Sequence, residues 1–166
     1  MTTDSKPRST NGPDVAVLVG QPPLLDASAV EAIAVDALEE LGIHGPVEVS
    51  IHFVDVDEIT RLNREALGRS GPTDVISLPL EDLVPGDWPP VDPAGPPLAL
   101  GDVFIAPEIV RSRALEHGFD PTADTALMVV HGVLHLTGHG HDDDDSAEIM
   151  ESIESMVLAR NGFGRR

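Results

Sequence analysis

The sequence predicts an α+β fold in which a small mixed four-stranded sheet packs against about five helices. Three observations lead to this prediction. Short segments rich in β-branched residues alternate along the chain with longer segments of helical periodicity. Glycine and proline residues separate many of these segments. The chain has 166 residues, a length that suits one domain with a substantial core.

The first half of the chain predicts two strands, each followed by a helix. Residues 14–19 (DVAVLV) are a candidate strand, and Asp26 is the expected N-cap of the helix after it. That helix has an apolar stripe and ends at Gly42. Residues 47–55 alternate apolar and polar side chains like a strand, and residues 55–67 are helical. The stripe of the first helix consists of Val30, Ile33, Ala34, Ala37, Leu38 and Leu41.

The second half predicts two strands and three helices. A strand at residues 73–80 precedes a long surface loop or flap at residues 81–99, which holds six prolines and two glycines. The next strand covers residues 101–107, and a helix starting at Pro107 follows it. Residues 121–136 are almost all apolar, which predicts a helix buried on most sides. A final amphipathic helix has the predicted inward stripe Ile149, Met150, Ile153, Met156 and Val157.

Composition divides the chain into one domain and two tails. Residues 1–13 are polar and predict a disordered N-terminal tail, residues 14–160 predict a single metal-dependent hydrolase-like domain, and residues 161–166 predict a C-terminal tail. No apolar run approaches the twenty residues of a membrane span, and the N-terminus lacks the apolar segment of a secretory signal. We therefore expect a cytoplasmic protein with no membrane partner.

Charge and cysteine content narrow the classes of function. The formal net charge is -19 and the only lysine is Lys6, so the chain predicts a solvated acidic surface. Such a charge opposes nucleic-acid binding unless arginines cluster locally or a metal ion offsets the repulsion. Because the chain has no cysteine, any transition-metal site must use His, Asp or Glu.

Residues 131–141 read HGVLHLTGHGH and contain four of the seven histidines of the chain. On a helix, His131 and His135 project from one face. Gly138 allows a sharp turn, after which His141 can return as a third ligand. Three neutral imidazoles with an open fourth position are typical of a catalytic zinc site at the end of a buried helix. His139 is left as a substitute ligand, as a group that supports the ligands, or as an exposed residue.

The position after the first histidine disfavours peptidase chemistry. Zinc peptidases of the HExxH type use a glutamate there as general base. This chain has Gly132 at that place. We expect the glycine to leave space beside the metal for a bulky group.

The histidine segment resembles the signature HGxLHLxGYDH of the YbeY endoribonucleases, the bacterial ribosomal RNA maturation factors. The histidines at both ends and at the fifth place coincide. Residues 62–80 (LNREALGRSGPTDVISLPL) are similar to the family stretch LNxxyRxxxxpTDVLSFP, and residues 101–108 (GDVFIAPE) are similar to GDIxIxPE. The similarity spans roughly residues 47–160 in the family order. His139 and Gly140 depart from the tyrosine and aspartate of the family.

The resemblance implies a fold, a cofactor and an activity. It implies an α+β fold in which His131, His135 and His141 bind one Zn²⁺ per chain. The implied activity is that of a single-strand-specific, metal-dependent endoribonuclease in ribosomal RNA processing. This processing includes maturation of the 3′ end of 16S rRNA, together with ribosome biogenesis and ribosome quality control. The implied partners are ribosomal RNA, the small ribosomal subunit and ribosomal or assembly-factor proteins.

The catalytic residues are less clear from the sequence than the metal ligands. The family often has an arginine where Leu67 stands. Arg64 and Arg69 lie within about a turn of this position and are candidates for binding the RNA phosphate. No general base stands out. Three acidic residues lie near predicted strand ends, although caps and surface charges explain such positions more simply: Asp74, Asp102 and Glu108.

Two alternative functions remain open from the sequence. One is a different zinc hydrolase that acts on a peptide or a small molecule through the same three ligands. The other is a non-catalytic ribosome assembly factor in which zinc stabilises the fold. The metal itself is also open, because three imidazoles suit nickel, cobalt and copper as well as zinc.

Overall fold

The computed structural model describes residues 12–164, and the predictions made above for residues 1–11 and 165–166 lie outside the described part of the chain. This part confirms the α+β prediction. None of its helices combines the length and the hydrophobicity needed to cross a membrane. The elements follow in the order β1 (Asp14–Val19), α1 (Ala27–Glu40), β2 (Val47–Phe53), α2 (Val56–Leu67), β3 (Val75–Pro79), β4 (Leu98–Ile105), α3 (Pro107–Glu116), α4 (Pro121–Leu136) and α5 (Asp144–Arg160).

The sheet is mixed, as the sequence predicts. Its strand order is β1-β2-β4-β3. β1, β2 and β4 run parallel, whereas β3 pairs antiparallel with β4 and forms one edge of the sheet. Because the parallel strands need crossover connections, helices lie between them in the sequence and can cover the sheet.

Most element boundaries agree with the predicted ones to within two or three residues, and the differences have local causes. β2 ends at Phe53 because the carboxylate of Asp55 accepts the Glu58 N–H and caps α2. β4 begins at Leu98 rather than at Gly101, since Leu98 already pairs with Val47 of β2. The proline-rich loop correspondingly covers residues 80–97 rather than the predicted 81–99.

The main core lies between one face of the sheet and helices α1 and α4, with α5 packed against both helices. In β2 the side chains alternate, and Val47, Val49, Ile51 and Phe53 are buried. Ten of the sixteen residues of α4 are buried, which confirms the predicted burial of this helix. A second, smaller cluster joins α2 to β3 and to the start of α3.

The space that the sequence predicts beside Gly132 does not exist. A Cβ atom at this position would overlap Cγ1 of Val103 in β4 and lie 3.1 Å from its Cγ2. The glycine therefore serves a close approach of helix to sheet. Ser77 of β3 strengthens this contact, because its hydroxyl donates a hydrogen bond of 3.0 Å to the Gly132 carbonyl.

The proline-rich segment between β3 and β4 is attached to the core at several points. The indole Nε1 of Trp88 donates to the Leu41 carbonyl at 2.8 Å. The backbone of Leu83 packs against Gly138, whose φ of +91° suits glycine and whose Cα has no room for a side chain. The segment thus lies against the end of α4, where the histidines are.

The inward face of α5 differs from the predicted stripe. Ile149 and Met156 are 56% and 45% exposed, whereas Met150, Glu154 and Val157 are buried. These three follow an i, i+4, i+7 pattern, so the true buried stripe includes a carboxylate that an apolar pattern passes over.

The residues after α5 also contact the domain. In the segment predicted as a C-terminal tail, the Asn161 side-chain amide donates to the Asp36 carboxylate at 2.8 Å. Phe163 packs against the main core.

Replacement of Gly132 by alanine is expected to lower the free energy of unfolding by about 1–3 kcal/mol, because the added methyl overpacks the contact with Val103. Urea unfolding of the two proteins measures this change. In a Val103→Ala background the same replacement should cost less, since the overlapping methyls are gone and alanine favours helix by roughly 1 kcal/mol over glycine. An equal cost in both backgrounds would contradict the close-approach explanation.

Candidate metal centre

The last turns of α4 carry the first two candidate ligands. His131 and His135 lie one turn apart on the same face, with ring centroids separated by 4.5 Å. Their Nε2 atoms are 3.0 Å apart. The i, i+4 spacing therefore produces the convergence that the sequence predicts.

The chain then turns back and brings in the third histidine. The hydroxyl of Thr137 donates to the Leu134 carbonyl, and Gly138 adopts a positive φ. The His141 ring lies 5.7 Å from that of His131 and 5.2 Å from that of His135, measured between centroids. The three histidines offer nitrogen atoms within 4.8 Å of one another, a group that could hold a metal ion.

Hydrogen bonds to the far side of two rings set their orientation. The Nδ1 of His135 lies 2.9 Å from the His139 carbonyl, which can only accept, so Nδ1 carries the proton. The Nδ1 of His131 lies 3.1 Å from Oε1 of Glu154, which as an ionised carboxylate also only accepts. Both bonds leave the lone pair of Nε2 facing the other ring. Such outer partners typically orient histidines that bind metals.

The electrostatics of this arrangement favour a cation between the rings. Burial lowers the pKa of His135 below its usual range, and the neighbouring His131 lowers it further. The imidazole is therefore neutral at neutral pH, the form that binds metal. When both rings carry their proton on Nδ1, the two Nε2 lone pairs face each other at 3.0 Å and repel, and a positive ion placed between them removes this repulsion. The residues present thus fit a divalent metal.

Glu154 is the residue of this site that the sequence analysis missed. It lies on α5, is 9% exposed, and reaches His131 across the contact between α4 and α5. The sequence could have indicated Glu154 through its position between Met150 and Val157 on the buried stripe of α5. A carboxylate at such a position is rarely buried without a partner.

The structure also decides among the three roles left for His139. The residue is 9% exposed, so it is not a surface histidine. Its Nδ1 lies 3.1 Å from the Thr137 hydroxyl, and its ring centroid is 6.3 Å from that of Trp88. Burial lowers the pKa of its imidazole. His139 supports the site, because its carbonyl orients His135 and its ring packs under the proline-rich segment.

The two candidate phosphate ligands lie outside this cluster. Arg64 is on the exposed side of α2, with its Nη2 3.8 Å from Oε1 of Glu65. Arg69 is in the loop after α2, where its backbone N–H donates to the Asn63 carbonyl. Among residues 12–164 no hydrogen bond or ion pair joins either arginine to the histidines. Their role in binding phosphate stays a prediction.

The three candidate carboxylates have other surroundings. Asp74 accepts from the Val75 N–H and pairs with Arg113 at 2.8 Å. Asp102 lies 2.8 Å from Nε2 of His52, on a part of the sheet away from the main core. Glu108 is exposed in the first turn of α3. These contacts agree with the simpler interpretation of the three residues as caps and surface charges.

Comparison with known proteins adds a family to this geometry. The family model described as "Endoribonuclease YbeY" matches residues 25–162. Over 123 residues the chain is 41% identical to endoribonuclease YbeY of Corynebacterium glutamicum, an alignment covering 74% of this chain and 63% of the relative. Over 137 residues it is 34% identical to endoribonuclease YbeY of Salinispora tropica, covering 81% and 87%. The match thus spans slightly less than two thirds of the corynebacterial relative.

A solved structure agrees with the fold. The solution structure of a Thermotoga maritima protein superimposes with a TM-score of 0.59 at 25% sequence identity. The alignment covers 89% of this chain and 91% of the other. The arrangement of helices and sheet is therefore shared over nearly the whole domain.

Replacement of Glu154 by glutamine is expected to weaken metal binding roughly 10- to 100-fold, since an amide holds the Nδ1 proton of His131 less strongly than a carboxylate does. Competition with a chromogenic chelator measures the affinity. Glu151→Gln, on the exposed side of the same helix, removes the same charge without touching the site. Equal affinities for the two variants would contradict the orienting role of Glu154.

Proposed function

Since the chain belongs to the family of endoribonuclease YbeY, we propose that it is a metal-dependent endoribonuclease that cleaves single-stranded RNA. The observation that carries the proposal is the convergence of the His131 and His135 Nε2 atoms, 3.0 Å apart, beside the ring of His141. A metal site of this kind supports hydrolysis of a phosphodiester.

The proposed cofactor is one Zn²⁺ per chain, held by His131, His135 and His141. Three imidazole nitrogens match the ligand set of catalytic zinc. When bound, zinc would supply Lewis acidity toward a phosphoryl oxygen and lower the pKa of an attacking water. Glu154 and the His139 carbonyl would keep the first two rings in place.

The accessibility of the site suits a polymeric substrate. His141 is exposed, and His131 and His135 are partly exposed. α4 and α5 support the rings on one side of the site. The other side, at His141, faces solvent. A strand of RNA can approach from that side without unfolding any element.

Phosphate binding is proposed for Arg64 and Arg69. The side chain of Arg64 is 67% exposed, and its contact with Glu65 is long at 3.8 Å. Arg61 on the same helix is a poorer candidate, because Glu58 and Glu65 bind its guanidinium at 2.5 and 2.6 Å and raise its pKa. A guanidinium can hold a phosphate with two parallel hydrogen bonds.

The acidic surface bears on how the substrate reaches the site. A chain with a net charge of -19 gains little from general attraction to RNA phosphates. We propose that the enzyme acts in the cytoplasm on ribosomal RNA presented by the small ribosomal subunit, with ribosomal or assembly-factor proteins as further partners. Maturation of the 3′ end of 16S rRNA is the proposed reaction.

The His135→Ala variant is expected to lose its metal and to cleave single-stranded RNA at least about 100-fold more slowly than the wild type, because the metal contributes several kcal/mol to catalysis. Mass spectrometry gives the metal content and a labelled oligonucleotide gives the rate. His44→Ala, an exposed histidine outside the cluster, should retain both. A folded His135→Ala protein that cleaves like the wild type would overturn the proposal.

Replacement of both Arg64 and Arg69 by alanine is expected to raise KM for RNA by at least about tenfold, since even one charge-assisted hydrogen bond contributes about 1.5–3 kcal/mol and about 1.4 kcal/mol corresponds to a factor of ten. Zinc content should stay unchanged, because neither residue contacts the histidines. Arg111→Ala, an exposed arginine on α3, is the matched control. Unchanged kinetics in the double variant would remove both arginines from the site.

A further inference from the structure

A cavity separate from the histidine cluster lies beside the same helix. Its volume is about 360 Å³, and residues of α3 and α4, together with Asp74 just before β3, line it. The Arg113 guanidinium and the His117 ring come from α3 and the residue after it. The other principal lining residues are Asp74, Phe119, Asp124 and Met128.

The register of α4 relates this cavity to the metal centre. Asp124 and His131 are seven residues apart, as are Met128 and His135. Seven residues are about two helical turns, so each pair shares a face of α4, separated by roughly 10 Å of helix rise. Ser77 keeps β3 alongside this part of α4 through its bond to the Gly132 carbonyl. The cavity and the histidine cluster are thus close enough for neighbouring nucleotides of one RNA strand to reach both.

Two aromatic rings form one wall of the cavity. The rings of His117 and Phe119 are nearly parallel, with an interplanar angle of 8° and centroids 6.1 Å apart. The Nδ1 of His117 donates to the Arg113 carbonyl at 2.8 Å, which fixes the orientation of the ring. Proteins that bind single-stranded RNA stack unpaired bases on such rings.

The charges of the cavity select a base rather than a phosphate. It contains the carboxylates of Asp74 and Asp124 and only one guanidinium, that of Arg113, which already pairs with Asp74. A phosphate would meet a net negative lining. An ionised carboxylate has about four acceptor sites, and Asp74 uses three of them for Thr73, Val75 and Arg113, so it can accept one further hydrogen bond.

Hydrogen-bond chemistry narrows the choice of base. Guanine, adenine and cytosine each carry an exocyclic amino group that can donate to a carboxylate. Uracil has no amino group, and its one imino donor stands between two carbonyl oxygens that a carboxylate repels. A carboxylate-lined pocket therefore discriminates against uracil.

We propose that this cavity binds one unpaired, amino-bearing base of the RNA strand, a near neighbour of the nucleotide whose phosphodiester lies at the three histidines. This inference rests on the proposed function and adds a base preference to it. His117 and Phe119 supply the stacking surface, and Asp74 accepts from the amino group.

Binding of labelled RNA pentamers tests the proposal. The full-length protein is kept in chelator so that the RNA stays intact, and fluorescence anisotropy compares UUUUU with UUGUU, UUAUU and UUCUU. The three pentamers with an amino-bearing base should bind about 5-fold or more tightly than UUUUU, since one base contact discriminates by about that factor or more. Asp74→Asn should lower this preference, because it removes the carboxylate that accepts from the amino group. His117→Ala and Phe119→Leu should abolish the preference by removing the stacking surface, whereas His44→Ala should retain it.

Equal binding of all four pentamers by the wild type would overturn the inference. A preference that survives in the His117→Ala variant would overturn it as well. Cleavage measured separately with zinc restored tests the proposed function. Cleavage without any base preference in binding would contradict the proposed base pocket and support the proposed nuclease activity. A base preference without cleavage would contradict the proposed nuclease activity and support a site that binds RNA.

Discussion

The close contact of α4 with β4 at Gly132 determines where the chemically active groups of this protein lie. Because Gly132 has no side chain, the backbone of α4 lies directly against Val103 of β4. This contact fixes the rotation of the helix about its own axis. The Ser77 hydroxyl bonds to the same turn from the edge strand. The face of α4 that carries His131 and His135 is therefore held in one direction, toward α5 and the turn that delivers His141.

The candidate metal centre combines a neutral imidazole with a buried carboxylate inside a strongly acidic chain. Burial keeps the His135 imidazole neutral, and a backbone carbonyl rather than a carboxylate holds its Nδ1. The Glu154 carboxylate lies beside the ring of His131 and contacts its Nδ1. In the proposed site, three imidazole ligands and one nearby carboxylate would hold a divalent ion without cancelling its charge, so positive charge would remain for the phosphate of the proposed RNA substrate. The surrounding acidic surface opposes binding of nucleic acid elsewhere.

Sequence reasoning succeeded where a local pattern has one structural solution. The alternation in β2 and the apolar run of α4 each predict the observed element, and Asp55 caps α2 close to the expected start. It fails at Gly132, because a glycine in the sequence does not show whether the space beside it is open, and here Val103 occupies that space. It also placed Ile149 inward, because hydrophobicity alone cannot tell which side of α5 meets α4.

The three candidate ligands could be predicted from the residues alone, because the i, i+4 spacing of His131 and His135 and the turn at Gly138 are local properties of the chain. The surroundings of these ligands follow from the tertiary packing. Glu154 reaches His131 from 23 positions away, and Asp74 meets Arg113 from 39 positions away. Contacts between distant segments depend on how helices pack on the sheet, and no local periodicity encodes that packing.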